Sequence, residues 1–343
     1  MIKDIISLIK PLDAEAMDKC QLRLDNLTKP LNSLLGLETL ARQMAGITGN
    51  PRPRAPQKSI VLMAADHGVA AEGVSAYPQE VTTQMIANFC NGGAAINIFA
   101  DHVSANLVLV DIGVVTELPD FPQLRKEKIA KGTKNITKGP AMTREQAIQA
   151  IEVGIKVARE EIEKGVQILG LGEMGIANTT ASTAMIACYS SATPDELTGY
   201  GSGISNEVLQ HKIQVIKTAL AVNRPDATDP IDVLCKVGGF EIAGLVGVIL
   251  AAAAGRAAVV LDGVITSAAA LIAVKLAPLV KEYLVGSHFS LEPAHKVALD
   301  LIGIPAHLHL NLRLGEGTGA VMGMSLIKAG LHVLNDMKTF GEA

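Results

Sequence analysis

Short apolar segments alternate along the chain with longer stretches of helical spacing. Six segments are rich in Val, Ile and Leu, and each runs into a glycine or polar loop. They cover Ser59–Asp66, Asn106–Val114, Val166–Gly172, Ala257–Ile265, Tyr283–His288 and Ala306–Leu314. Strands that are apolar on both faces and separated by helical connections are typical of a parallel sheet covered on both sides. The pattern predicts an α/β fold with a doubly wound, mainly parallel, six-stranded Rossmann-like sheet.

The two ends of the chain differ from this central pattern. Asp13 is placed to cap a helix, Leu34–Met44 has helical apolar spacing, and Gly319–Met337 is helical again. We expect residues 1–50 and 320–343 to form a small helical subdomain. Residues 51–319 then form the α/β domain.

Composition narrows the class of protein. The chain has 343 residues, a net charge of -4 and only 3% aromatic residues, so it lacks the basic field and stacking platforms of a nucleic-acid-binding protein. Its most apolar uncharged run, Ile242–Gly255, has 14 residues, whereas a membrane span needs about 20. That run predicts a buried helix. The apolar part of the N-terminal segment is too short for a secretory signal. From these observations together we expect a cytoplasmic protein without nucleic-acid or membrane partners.

Cysteine and histidine spacing does not indicate a metal centre. The four cysteines are widely separated, and no compact group of His and Cys has ligand spacing. We expect four reduced, mostly buried thiols. His307 and His309 are expected to alternate along the last strand.

The predicted sheet also predicts where a ligand binds, because ligands of such sheets bind at the carboxyl ends of the strands. Six loops or positions follow from this rule. They are Asp66–Gly68, Asp111, Gly170–Thr180, Asp262–Gly263, Gly286–His288 and Gly315–Gly319. Each could instead be a strand-to-helix turn or a helix cap.

The run Gly170–Gly175 matches the G-x-G-x-x-G pattern of dinucleotide-binding proteins. In such proteins an acidic residue about 20 positions later follows a second strand and binds the ribose. Here Asp195 and Glu196 follow Pro194 with no strand before them. Asn178–Ser182 instead offers an amide and hydroxyls at a helix start, suited to a single phosphate. A mononucleotide or phosphoribosyl ligand fits better, and an NAD-dependent oxidoreductase is the alternative.

Three further side chains could carry chemistry. Glu316 lies between two glycines, after an expected strand and before a helix. In an apolar cleft its pKa would rise towards the range of a general base, although it could simply stabilise the start of a helix. Glu173 occupies a similar loop and could be a second carboxylate of the site. Lys212 could bind a phosphate, or be a solvated helix lysine.

Taken together, the motifs resemble one family, the nicotinate-nucleotide:dimethylbenzimidazole phosphoribosyltransferases, which make the lower nucleotide of cobamides. The matches run over nearly the whole chain. They comprise Leu27–Pro30, Ala65–Val69, Gly73–Ser75, Phe89, Asn91–Asn97, Gly172–Thr180, Asp262–Gly263, Gly286–His288 and Arg313–Gly319.

The resemblance implies transfer of the phosphoribosyl group of nicotinate mononucleotide to a benzimidazole, with release of nicotinate and inversion at the sugar carbon. It implies Glu316 as general base and Glu173 as accessory acid, a homodimer with the site near the subunit interface, and neither metal nor cofactor. The implied phosphate and ribose residues are Gly172, Gly175, Asn178, Thr179, Thr180, Lys212, Asp262, Ser287, Arg313 and Gly315. The implied acceptor pocket consists of Ser75, Tyr77, Gln84, Met85, Met174 and Leu314.

The sequence departs from the family pattern at four positions beside the acceptor pocket. Asn32 and Leu35 stand where the family has glycine, which would change the local turn. His309 and Asn311 replace an acidic and a small residue. These departures leave the identity of the acceptor open, and the chain could be one partner of a heterodimeric paralogue that activates phenols. A non-catalytic subunit that has lost activity is a further alternative.

Overall fold

One six-stranded sheet forms the centre of the fold, and the computed structural model describes all residues, 1–343. The strands are β1 (Gln57–Ala65), β2 (Asn106–Gly113), β3 (Leu124–Lys126), β4 (Val166–Met174), β5 (Ala258–Leu261) and β6 (Leu284–Gly286). Their order is β3-β2-β1-β4-β5-β6, and every adjacent pair is parallel. The chain reverses its direction of winding between β1 and β4, so ligands are expected at the carboxyl ends of the strands near this point. The prediction of a doubly wound parallel α/β sheet is confirmed.

Fourteen α-helices surround the sheet. They are α1 (Ile2–Leu8), α2 (Ala14–Asn26), α3 (Leu35–Thr48), α4 (Glu80–Cys90), α5 (Ala95–His102), α6 (Arg144–Glu163), α7 (Asn178–Ala187), α8 (Pro194–Leu197), α9 (Asn206–Asn223), α10 (Pro230–Val237), α11 (Phe240–Ala254), α12 (Val264–Leu276), α13 (Pro293–Ile302) and α14 (Thr318–Asp336). Asp13 caps α2 as predicted, accepting a 2.9 Å bond from the Ala16 N–H. No helix combines the length and apolar character of a membrane span.

Helices cover both faces of the sheet. Ile60 of β1 points towards Gly170 of β4, which also meets Met324 of α14, while Met63 contacts Gly244 of α11. Positions 60 and 63 point to opposite sides of a strand because side chains alternate. Helix α14 therefore packs on one face and α11 on the other. The whole of α11 is buried apart from its last residue, which confirms the buried helix expected around Ile242–Gly255.

Two of the six strand predictions were wrong, one in its position and one in its extent. Ala306–Leu314 is not a strand: only Leu308 forms a bridge, to His288, and Asn311 has φ 54°, which strand geometry excludes. Leu310 and Leu314 are exposed rather than buried. The sixth strand is β3, a three-residue edge strand too short to leave a hydrophobic pattern. The strand expected at Ala257–Ile265 ends at Leu261, and Val264 begins α12.

The terminal helices pack together and also reach the sheet. Helix α14 contacts α2 and α3, and it lies against β4, β5 and β6. The division into a helical subdomain and an α/β domain stays a prediction. All four cysteines are free, and Cys20, Cys90 and Cys235 are buried while Cys188 is half-buried.

Candidate functional site

A cleft of about 740 Å³ opens beyond the carboxyl ends of β4 and β5. It lies at the edge of the sheet where the topology predicts a ligand. The wall brings together most of the residues that the sequence singled out. These are Ser75, Tyr77, Met85, Glu173, Met174, Gly175, Asn178, Thr179, Asp262, Arg313, Leu314, Gly315 and Glu316.

Five of the expected site residues lie outside this wall. Gly172 is within β4, Thr180 is fully buried in α7, and Ser287 is buried beside His288. Lys212 lies directly behind Thr179. Gln84 is exposed on α4.

The loop that carries Glu316 has an unusual backbone. Gly315, Glu316 and Gly317 have φ angles of 89°, 63° and 93°, a left-handed run that only glycine adopts without strain. The loop crosses β4 at Gly172, where an added Cβ would come within 2.5 Å of the Glu316 carbonyl oxygen. The glycines therefore allow the Glu316 backbone to approach the strand closely.

The Glu316 side chain is buried at the cleft. Its carboxylate accepts a 3.4 Å bond from the Ile96 N–H at the start of α5. Burial, and secondarily the negative charge of Asp262, raise the pKa of Glu316 above its ordinary value. A carboxylate whose pKa is raised in this way is a better proton acceptor near neutral pH.

Asp262 anchors the loop from the end of β5. Its two carboxylate oxygens accept 2.8 Å bonds from the Gly317 and Gly319 N–H groups, at the start of α14. Asp262, rather than Glu316, is therefore the carboxylate that stabilises the start of α14. His288 lies behind it, with Nδ1 4.0 Å from Asp262 Oδ1 and 2.9 Å from Ser287 Oγ.

Glu173 is a second buried carboxyl group of the cleft. Burial raises its pKa to about 8, although the Asn178 side-chain amide donates a hydrogen bond to it. An added Cβ on Gly315 would lie 2.6 Å from Glu173 Oε1, which places the carboxyl group against the Glu316 loop. At neutral pH Glu173 is mostly protonated, so it can donate a hydrogen bond.

Lys212 of α9 is buried, with 1% of its surface exposed. This corrects the interpretation as a solvated helix lysine. Its Nζ donates to Thr179 Oγ1 at 2.9 Å and to the Gly199 carbonyl at 3.4 Å. Burial lowers the pKa of Lys212 to about 8, against the opposing effect of Glu292. The ammonium group and the start of α7 suit a phosphate.

The G-x-G-x-x-G match does not form a dinucleotide loop. Gly170 and Gly172 are strand residues paired with β1, and β4 continues to Met174, two residues beyond its expected end. Only Gly175 of the three glycines lies in the loop after the strand. Asp195 and Glu196 lie at the start of α8, where Asp195 pairs with Lys217 at 2.8 Å. The geometry expected of an NAD site is therefore not formed by these residues.

Of the four departures from the family pattern, only Asn311 lines the cleft, while Asn32 and Leu35 line a separate cavity beside α3. Asn32 has φ 58°, in the left-handed region that glycine favours, while Leu35 begins α3. Asn311 lines the cleft, and His309 stacks on Phe289 with ring centroids 4.5 Å apart.

Three polar residues in or behind the cleft were not predicted from the sequence. Glu292 lines the cleft and accepts a 2.7 Å bond from the Gly201 N–H, and Ser202 bonds Ser75 Oγ at 3.2 Å. Glu241 forms a fully buried 2.6 Å pair with His67 behind Gly175. A lone carboxylate at the start of an apolar helix was the one available signal for Glu241.

Known proteins share this sequence and this fold. A family profile described as phosphoribosyltransferase matches residues 9–343. A nicotinate-nucleotide–dimethylbenzimidazole phosphoribosyltransferase of Geobacter sulfurreducens is 51% identical over 343 residues, covering 100% of this chain and 97% of the relative. A relative of the same name from Halalkalibacterium halodurans is 49% identical over 342 residues, covering 100% and 96%.

The solved structure of CobT from Thermus thermophilus matches with a TM-score of 0.92 at 43% identity. The match covers 96% of this chain and 98% of that one. The resemblance drawn from the motifs is confirmed. The chain therefore belongs to the nicotinate-nucleotide–dimethylbenzimidazole phosphoribosyltransferase family.

Proposed function

We propose that this chain transfers the phosphoribosyl group of nicotinate mononucleotide to 5,6-dimethylbenzimidazole or a related base. The products are α-ribazole 5'-phosphate and nicotinate, as used in cobamide assembly. The observation that carries the proposal is the buried Glu316 carboxylate in the same cleft as Thr179, which Lys212 contacts. The full-length relatives bear the name of this reaction. They give no support to an oxidoreductase or to a subunit acting on phenols.

The chemistry needs positioning and one base. One ring nitrogen of the acceptor attacks the sugar carbon from the face opposite nicotinate, which inverts that carbon. The bond to the pyridinium nitrogen breaks and its electron pair leaves with nicotinate, so departure needs little acid assistance. The other ring nitrogen loses its proton to Glu316. Holding both substrates in one cleft supplies much of the rate enhancement.

The remaining side chains divide between the two substrates. Lys212 and Thr179 bind the phosphate, and the start of α7 adds its N–H groups. Glu173, mostly protonated at neutral pH, accepts hydrogen bonds from the Asn178 side-chain amide and from the Glu316 N–H, and so ties the Glu316 loop to β4. Met85, Met174 and Leu314 supply apolar wall for the acceptor.

We also propose a homodimer in the cytoplasm. Leu31 and Leu34 in the α2–α3 connection and Leu35 at the start of α3 are exposed. Together they form an apolar surface that a second subunit would cover. Four free thiols fit a reducing compartment.

The test is chromatographic detection of nicotinate released from nicotinate mononucleotide, with and without dimethylbenzimidazole. We expect acceptor-dependent release by the wild type. Glu316→Gln should lower kcat by about 100-fold or more, because a general base contributes about that factor. Glu145→Gln, an exposed change on α6, is the control and should leave kcat unchanged. A folded wild type that releases no nicotinate would refute the proposed reaction.

A further inference from the structure

The Glu316 loop depends on a carboxylate that comes from a different strand. Asp262 follows β5, and both of its oxygens accept 2.8 Å bonds from the loop, one from the Gly317 N–H and one from the Gly319 N–H. These two donors follow Glu316 closely and begin α14. Asp262 is 2% exposed, so water does not compete for these bonds.

Inside the loop, the Thr318 N–H and Oγ1 both donate to the Gly315 carbonyl, at 3.1 and 2.8 Å, and contacts from other strands add to these bonds. Three successive residues, Gly315 to Gly317, have positive φ angles, and Glu316 is not a glycine. A non-glycine residue in the left-handed region costs roughly 1 kcal/mol or more and persists only where its surroundings fix it. The paired bonds to Asp262 are the fixing contacts on the α14 side of Glu316.

A histidine supports Asp262 from behind. The His288 ring fills the space where Gly319 would carry a Cβ: an added Cβ would lie 2.1 Å from Nδ1 and 2.6 Å from Asp262 Oδ1. Ser287 Oγ lies 2.9 Å from the same Nδ1. Gly319 is therefore required at this position because the ring and the carboxylate meet its backbone.

We propose that Asp262 is a positioning residue that holds the loop carrying Glu316 in its reactive place, with His288 as its support. The inference rests on the proposed function for its kinetic consequences. It gives Asp262 a role other than the ribose contact that the family resemblance suggested.

Asp262 also acts on the base through its charge. The groups that act on Glu316 are Asp262 from β5, Glu173 from β4, which accepts the Glu316 N–H, and the Ile96 N–H from α5. Arg313, on the same loop, donates to the Gly201 carbonyl at 3.2 Å. Burial is the larger cause of the raised pKa of Glu316, and the Asp262 charge adds to it. Removing that charge lowers the pKa, so Glu316 stays ionised to lower pH.

The test compares Asp262→Asn with the wild type in kinetics and in hydrogen exchange. The amide oxygen of Asn can replace only one of the two carboxylate oxygens that accept these N–H bonds. We expect kcat to fall by about tenfold or more because the base is misplaced, with KM for nicotinate mononucleotide within about threefold. The acid limb of the kcat profile should move to lower pH. Backbone exchange over residues 315–319 should accelerate.

Asp111→Asn is the matched control. Asp111 is also buried at a strand end and accepts two backbone bonds, from Gly113 at 3.2 Å and Val114 at 2.9 Å, but it does not line the cleft. It should leave kcat and the acid limb unchanged. If Asp262→Asn does not fold, Gly319→Ala provides the test. Its added Cβ would clash with the His288 ring and displace the loop, so kcat should fall while KM for nicotinate mononucleotide is retained.

Two results would overturn the inference. One is a KM for nicotinate mononucleotide raised about tenfold with kcat and loop exchange unchanged, which indicates a ribose contact. The other is unchanged kinetics and unchanged exchange. A wild type without turnover refutes the proposed function alone, because exchange at 315–319 still reports whether Asp262 holds the loop.

Discussion

Four ionisable side chains in or directly behind the cleft are buried, although their charged forms are more stable in water. Glu173, Glu316 and Asp262 are 6%, 5% and 2% exposed, and Lys212 is 1% exposed. Burial disfavours the charged form, so it raises the pKa of each carboxyl group and lowers that of the lysine. Such shifts concentrate where a protein performs chemistry.

The lowered pKa of Lys212 predicts a pH dependence of substrate binding. With a pKa of about 8, the ammonium group is charged below that pH and neutral above it. KM for nicotinate mononucleotide should therefore rise severalfold between about pH 7 and about pH 9. Lys212→Met should raise KM about tenfold or more at pH 7 and remove the pH dependence.

Steady-state kinetics across this range provide the measurement. Lys217→Met is the control, because Lys217 lies on the same helix but pairs with Asp195 at the surface. A pH-independent KM in the wild type would show that Lys212 does not bind the phosphate.

At the scale of elements, the site depends on how strand β4 and the start of α14 approach each other. Gly170 and Gly172 are both within β4, and an added Cβ would be crowded at each. At Gly170 it meets the side-chain ends of Ile60 and Met324. At Gly172 it meets the backbone of Glu316, which cannot move aside by changing rotamer.

The two glycines therefore predict different mutant phenotypes. Gly170→Ala should cost about 1–3 kcal/mol of unfolding free energy by overpacking and leave kcat nearly unchanged. Gly172→Ala should displace the Glu316 loop and lower kcat by about tenfold or more. Thermal denaturation and nicotinate release measure the two effects. Equal loss of kcat in both variants would contradict a specific role of the Gly172 contact.

At the scale of the whole molecule, the protein presents an apolar loop that its own fold leaves uncovered. Leu31 and Leu35 are 66% and 64% exposed, and they lie in the connection before α3 and at its start. Single exposed leucines are common on proteins, whereas a cluster indicates a contact surface.

The proposed homodimer should depend on this loop. Light scattering should give twice the 35.9 kDa chain mass for the wild type. Leu31→Glu with Leu35→Glu should shift the protein towards monomer, because dimerisation would bury two carboxylates without partners. Leu8→Glu, an exposed change on α1, should leave the mass unchanged. A monomeric wild type would refute the dimer.

Local patterns of the sequence determined most of the fold. Four strands were predicted close to their true bounds because they are long or apolar on both faces, and Asp13 marked the start of α2 because capping is a local interaction. Strand β3 was missed and the segment Ala306–Leu314 was wrongly predicted as a strand, because pairing at a sheet edge depends on neighbours distant in sequence.

Some residues of the candidate site could likewise be predicted from the sequence, and others could not. The sequence pointed to Glu316, because a carboxylate between glycines after a strand is a local signal, and the match to a known family supplied its proposed role. Only the tertiary structure decided that Lys212 is buried, that Glu292 lines the cleft, and that Asp262 holds the Glu316 loop. Burial and long-range hydrogen bonds depend on residues far apart in the chain, and no local sequence pattern indicates which of them come into contact.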